Sequence, residues 1–271
     1  MITTDFTPGA PCWLDLGSPD VPGAAAFYGA VLGWEYEPMA PPESVGAGEE
    51  AQGGMFRKDG RVVAGLGRLT EPGARSAWMI YYGVADADAT TRAVEQAGGA
   101  VRVAPRDLDR WGRMAQYSDP LGGQFAVWQP GEVKGAELLD VPGSLSWTEL
   151  YTSDAAAARR FYADVFGWWY SDMEMPGGEG TYTLITPAGQ PAERMHGGLL
   201  QLSSDQLALA GGRPYWHPVF AVTDCDTAVA AATAAGGTVQ MGPADVPGVG
   251  RLAVCLDPSN ADFVVLAAEE S

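Results

Sequence analysis

The sequence predicts an α+β protein in which one strand–helix–strands unit is written four times. Two observations carry this. First, "WLDLGSPDVPGAAAFYGAVLGW" at residues 13–34 returns as "WTELYTSDAAAARRFYADVFGW" at residues 147–168, so Trp13 matches Trp147 and every matched pair is 134 residues apart. Second, "YYGVADADAT" from Tyr81 returns as "VFAVTDCDTA" from Val219, and "SDPLGG" from Ser118 as "LDPSNA" from Leu256, both 138 residues on. The order is kept throughout, which marks a tandem duplication, and each copy holds two related parts.

The elements follow from local physics. "CWLDLGS" and "SWTELYT" alternate in side-chain type and are rich in strand formers, so each is expected to be a half-buried strand. Asp20 and Asp154 stand where an N-cap belongs, accepting hydrogen bonds from free backbone N–H groups of the next helix. Pro22 is tolerated there because the first turn needs no donor. Phe27 and Val31, like Phe161 and Val165, share one helical face at i, i+4. Gly33 and Gly167 then stop the helices with positive φ. In the later parts, "MIYYGVA" and "HPVFAVT" read as strands leading to an Asp cap and an Ala-rich helix that ends in "AGGA" or "AGGT". Further strands close through Asp-Pro turns. Residues 129–143 form the expected linker, which places one domain at 1–134 and a second at 140–271. Residues 38–54, rich in Gly, Pro and Glu, are expected to form a loop suited to lidding a pocket.

Composition narrows the function classes. The 271 residues suffice for two domains with cores of their own, and 46% apolar against 18% charged residues is a globular balance. A net charge of −18 repels phosphate backbones and anionic lipid, so neither nucleic acid nor a membrane surface is an expected partner. Charge that merely keeps the chain soluble is the better account of the acidity. Three scattered cysteines make no disulfide framework or zinc motif. No export signal and no apolar run of about 20 residues is evident. The expectation is a cytoplasmic protein, monomer or homodimer.

The strand, Asp, Phe-Tyr, Leu-Gly or Phe-Gly order in "DVPGAAAFYGAVLG" and "DAAAARRFYADVFG", with Asp-x-Asp at the later helix and Asp-Pro before the last strand, resembles the vicinal oxygen chelate superfamily. That family includes glyoxalase I, bleomycin-resistance proteins and extradiol dioxygenases, and this chain looks most like its tandem two-domain actinobacterial members. The resemblance spans essentially the whole chain. It implies four βαβββ modules, paired into two cup-shaped mixed-sheet domains that each hold a small molecule. Family enzymes bind a divalent metal in the cup with His and Glu. The matching positions here are Trp13, Met79 and Ala126 in the first copy, and Trp147, His217 and Val264 in the second. One ligand type of six remains, where a catalytic site needs about three. No metal and no other cofactor is expected.

Residues two apart in a strand share a face, so Trp13 with Asp15 and Trp147 with Glu149 should point into the cups. An indole suits stacking on a planar ligand and the carboxylate accepts its hydrogen bond; the competing reading makes the indoles plugs of cups that no longer need metal. The same alternation brings Glu149, His217 and Asp262 toward the second cup as candidate acid–base groups, against a reading of His217 as a satisfied core imidazole. His196 is expected near the cup rim, where it could join His217. Tyr81, Tyr151, Gln124 and Trp128 also have inward parity, and Trp111 lies in a polar loop able to close over a ligand or cover a sheet edge. Met79 completes the binding set of the first copy. Cys12, one residue out of phase, should pack under the helix. These residues point to a metal-independent cup protein that binds a planar small metabolite, or transforms it as an isomerase or lyase would, in detoxification, resistance or secondary metabolism. The alternative is a metal-dependent glyoxalase- or dioxygenase-like enzyme with a non-standard site around His217 and Glu149.

Overall fold

The computed structural model describes residues 1–39, 53–69, 75–175, 180–208 and 211–269. The βαβββ module occurs four times. The first holds β1 (Pro11–Ser18), α1 (Val21–Leu32), β2 (Glu35–Pro38), β3 (Gly53–Lys58) and β4 (Arg61–Arg68). The next holds β5 (Ala77–Gly83), α2 (Ala87–Gln96), β6 (Ala100–Leu108), β7 (Gly112–Ser118) and β8 (Gln124–Pro130). The second copy opens with β9 (Leu145–Thr152), α3 (Ala155–Phe166), β10 (Trp169–Glu174), β11 (Thr181–Thr186) and β12 (Gly197–Gln201), then the short α4 (Ser204–Ala208). It closes with β13 (Tyr215–Ala221), α5 (Cys225–Ala234), β14 (Thr238–Val246), β15 (Gly250–Leu256) and β16 (Asp262–Ala268). Each copy contributes one eight-stranded mixed sheet, ordered β2-β3-β4-β1-β5-β8-β7-β6 and β10-β11-β12-β9-β13-β16-β15-β14. Within a module the first and last strands pair in parallel, as β9 does with β12, and the rest pair antiparallel.

The predicted helix signals hold. Asp20 accepts the Gly23 N–H at 3.0 Å and Asp154 the Ala157 N–H at 2.9 Å. Asp86 and Asp224 cap α2 and α5 in the same way. Gly33 and Gly167 end α1 and α3 with φ of 69° each, a conformation that costs a side chain with a Cβ. The second Asp of each Asp-x-Asp holds an arginine of the same module, Asp88 with Arg113 and Asp226 with Arg251.

Two expectations shift. The stretch read as a linker starts later, because Gln129 and Pro130 complete β8. Of the stretch read as a lid, Pro38 ends β2 and Gly53–Gly54 open β3, while residues 40–52 lie outside the described residues.

The chain packs as two compact units that interleave the copies. One comprises Met1–Trp13, Met79–Gly135 and Trp147–His217; the other comprises Leu14–Trp78, Ala136–Ser146 and Pro218–Ser271. In the first unit, Ile80 and Tyr82 of β5, Phe125 and Val127 of β8, Leu150 of β9, Phe161 and Tyr162 of α3, Trp168 and Trp216 form one buried core. The second unit gathers Phe27, Tyr28, Trp34, Phe56, Trp78, Phe220 and Phe263 in mutual ring contact. Such aromatic pairs add to what their buried area contributes.

This interleaving explains why the family motifs recur. In the first unit the Trp216 indole donates to the Tyr162 hydroxyl at 2.8 Å, and Tyr162 donates to Asp119 Oδ2 at 3.0 Å. Asp119 Oδ1 takes the Leu121 and Gly123 N–H groups of its own Asp-Pro turn, each at 2.9 Å. The second unit repeats the chain as Trp78 to Tyr28 at 3.0 Å and Tyr28 to Asp257 at 3.4 Å. The Tyr of one copy's Phe-Tyr motif therefore meets the Asp-Pro of the other copy. A buried carboxylate needs such partners, and burial still pushes both Asp carboxyls up. The paired tryptophans also do matched work: the Trp168 indole donates to the Gly9 carbonyl and Trp34 to the Gly143 carbonyl, both at 2.7 Å.

Candidate functional site

Alternation along the strands divides core from site. On β9, Leu150 enters the core while Trp147, Glu149 and Tyr151 turn to the other face; on β13, Trp216 enters the core. His217 turns to the Glu149 side, its Nε2 lying 3.0 Å from Glu149 Oε2. The imidazole is wholly buried and the Glu149 side chain keeps 18% of its exposure. Tyr182 of β11 donates to Glu149 Oε1 at 2.6 Å and accepts the Trp147 indole N–H at 2.9 Å. The Tyr151 hydroxyl stands 3.5 Å from Oε2. Three rings bound the cluster edge to face, with centroids 4.5 Å apart for Tyr151 and His217, 5.6 Å for Tyr215 and His217, and 5.5 Å for Tyr151 and Tyr215.

The electrostatics favour a carboxylate here. Burial alone would raise the Glu149 carboxyl, but His217 and the Tyr182 and Tyr151 hydroxyls outweigh it and hold the group below the ordinary range. Burial and the Glu149 charge push the Tyr182 phenol well up, so it stays a donor. The arrangement can therefore hold a fixed, partly exposed anion among aromatic rings, ready to accept a hydrogen bond or a proton.

The structure brings Trp147, Glu149, Tyr151 and His217 together as the sequence suggested, and adds Tyr182 and Tyr215, which sequence reasoning missed. One signal could have found Tyr182. Gly198 on the neighbouring β12 sits opposite Glu149, and a Cβ there would stand 1.8 Å from the Tyr182 hydroxyl. A glycine inside a strand marks such a close approach. Asp262 opens β16 opposite Leu256, in the other packing unit. His196 does not join the rings around His217; it is buried between Trp168 and Tyr82, with centroids 5.0 and 6.0 Å away. Its position at the mouth of β12 is as expected, but the core claims its ring.

The first copy is built differently. Trp13, Met79 and Cys12 pack against a buried apolar cluster of Tyr81, Met114, Ala126 and Trp128. Cys12 thus lies beside these residues rather than under a helix, its Sγ 3.5 Å from the Tyr81 carbonyl. Asp15 is half-buried opposite Gly65 of β4. Gln124 is exposed and its amide oxygen takes the Arg102 guanidinium at 2.6 Å. Trp111 lies in the turn between β6 and β7, 37% exposed. Sheet register matches Tyr151, Leu200 and Tyr182 of the second copy with Gly17, Gly67 and Gly53 of the first. Among the described residues, only the second copy therefore carries the aromatic and acid–base constellation.

These residues do not fit a divalent metal of the family kind. The positions that would supply ligands in the first copy are Trp13, Met79 and Ala126, side chains that meet in an apolar cluster. In the second, Trp147 and Val264 offer no donor pair for a cation, and only His217 remains. Among the described residues, no group of three His, Cys, Asp or Glu side chains comes together as a metal site. Nor, among them, is any helix long and apolar enough to cross a membrane.

Comparison with known proteins agrees with the fold. The model of the Glyoxalase/Bleomycin resistance protein/Dioxygenase superfamily matches residues 144–265, and that of a glyoxalase-like domain matches residues 13–128. The chain is 39% identical to the anthracycline biosynthesis protein DnrV of Streptomyces peucetius, across 98% of this chain and 96% of that protein. It is 34% identical to the putative glyoxylase CFP32 of Mycobacterium tuberculosis, across 97% and 96%. The Mn(II)-bound glyoxalase from Novosphingobium aromaticivorans shares the fold with a TM-score of 0.62 at 20% identity, over 97% of this chain and 83% of that one. So does the 2,2',3-trihydroxybiphenyl 1,2-dioxygenase of Sphingomonas wittichii, with a TM-score of 0.63 at 18% identity over 96% and 90%. With both halves matched and relatives similar over nearly the full length, the chain belongs to the glyoxalase/bleomycin resistance protein/dioxygenase superfamily.

Proposed function

We propose that the protein binds a planar, polycyclic small metabolite in its second half and transforms it without a metal, as an isomerase or lyase would. The observation that carries this reading is the Glu149–His217 hydrogen bond at 3.0 Å, set among aromatic rings. The relative named for anthracycline biosynthesis supports a flat, fused-ring ligand. Each half, 1–134 and 140–271, is taken as one domain of the family. Glu149 is the proton acceptor, because it alone of the pair keeps contact with solvent. His217 stands behind it. Trp147 and Tyr151 supply stacking area. In the first half, Trp13, Met79, Tyr81, Trp111 and Gln124 are the proposed binding residues, without an acid–base pair. An isomerase-like reaction moves a proton from one substrate atom to Glu149 and returns it to another; a lyase-like one releases it with the leaving group.

The test is a single-turnover assay on a panel of hydroxylated polycyclic ketones with product analysis. Glu149→Gln should lower turnover by roughly 10²–10⁴-fold, the range for losing a general base. Elemental analysis of gently purified protein should find no stoichiometric divalent ion. One Zn, Mn, Fe or Ni per chain, lost in His217→Ala, would overturn the metal-free reading and favour a metal-dependent enzyme. The similarity to a putative glyoxylase supports that second reading.

A further inference from the structure

We propose that Tyr182 fixes which oxygen of Glu149 meets the ligand, and that the ligand carries a ring-edge hydroxyl that replaces the Tyr151 hydroxyl on Oε2. This rests on the reading of Glu149 as the acceptor. The three donors on the carboxylate are not equal. Tyr182 holds Oε1 at 2.6 Å, and because its oxygen already accepts the Trp147 N–H, its single proton is committed to Glu149. Its ring has no room to swing away on the Gly198 side, where even a Cβ would come within 1.8 Å of the phenol oxygen. His217 holds Oε2 at 3.0 Å from a fully buried ring wedged against Tyr151 and Tyr215.

Tyr151 differs. Its hydroxyl stands 3.5 Å from Oε2, at the outer limit for a hydrogen bond, and its ring is only half-buried. It is the donor that an incoming group displaces at least cost. Each carboxylate oxygen accepts about two hydrogen bonds; His217 and Tyr151 fill both places on Oε2, so a donor that arrives there takes the place of the weaker one, Tyr151. The chemistry of that oxygen selects the ligand. A phenol or enol hydroxyl can donate to it, an ether cannot, and an anion is repelled. The flanking Trp147, Tyr151 and Tyr215 rings suit a flat carbon skeleton behind that hydroxyl. The first copy cannot do the same, since glycines stand where Tyr151 and Tyr182 stand.

Calorimetric titration with 2-hydroxyanthraquinone and its 2-methyl ether tests this on the unaltered chain. The hydroxyl compound should bind about tenfold tighter or more, the yield of one hydrogen bond to a charged group. The preference should vanish in Glu149→Gln and persist or grow in Tyr151→Phe. In Tyr182→Phe the Glu149 carboxyl, followed by carbon NMR, should titrate at higher pH, and the hydroxyl preference should fade at correspondingly higher pH. Tyr151→Phe should leave that titration nearly in place. Equal affinity for the two ligands, or loss of the preference in Tyr151→Phe, overturns this inference while leaving Glu149 as the proposed acceptor. Failure of both ligands to bind overturns the functional reading itself, and this inference with it. The ligand pair decides the matter even where a variant fails to fold.

Discussion

His196 should make the stability of this protein depend on pH in a way that can be worked out beforehand. Its ring is 1% exposed, and neither nitrogen has a hydrogen-bond partner among the described residues. Burial disfavours the imidazolium and lowers its pKa from 6.5 to about 3. In the unfolded chain the same ring takes up a proton near 6.5. The unfolded state therefore binds more protons between these values, and stability is lost as pH falls below 6.5. The slope approaches about 1.4 kcal/mol per pH unit, so lowering the pH from about 7.5 to about 5 should cost about 2 kcal/mol from this ring alone. His196→Phe keeps an aromatic ring against Trp168 and Tyr82 and removes the titration. Urea unfolding of both proteins across that range gives the difference, in which other titrating groups cancel and a constant packing offset does not matter. Parallel wild-type and variant curves would refute the argument, since they would mean the buried ring is protonated or hydrated in the folded protein.

Other outcomes follow from the same geometry. Tyr162→Phe should cost about 1–3 kcal/mol in urea unfolding, because it strands both Asp119 Oδ2 and the Trp216 indole N–H. Tyr28→Phe should cost less, since its contact to Asp257 is longer at 3.4 Å than the 3.0 Å of Tyr162 to Asp119. Gly198→Ala should displace the Tyr182 ring and raise the pH at which Glu149 titrates, read by carbon NMR, with an overpacking cost of about 1–3 kcal/mol.

Much of the fold was legible because its signals are local. The Asp caps, the helix-ending Gly33 and Gly167 and the strand alternation each act over a few residues, and each stands where the sequence placed it. Alternation also sorted Trp147, Glu149 and Tyr151 onto one face of β9, since side chains in a strand change sides at every residue. Cys12 shows the limit of that reasoning: parity names a face, but what covers the face is a matter of packing.

What the sequence determined by itself was the fourfold module, the two copies and the faces of their strands. The tertiary structure alone decided the partners. Tyr162 meets Asp119 and not the Asp of its own copy, because the packing units interleave the copies. Tyr182 reaches Glu149 only through the register that sets β11 beside β12 and β12 beside β9, with Gly198 making room between them. Hydrogen bonds of this kind depend on distances between strands far apart in the chain. No local propensity encodes those distances; close packing of the whole sheet does.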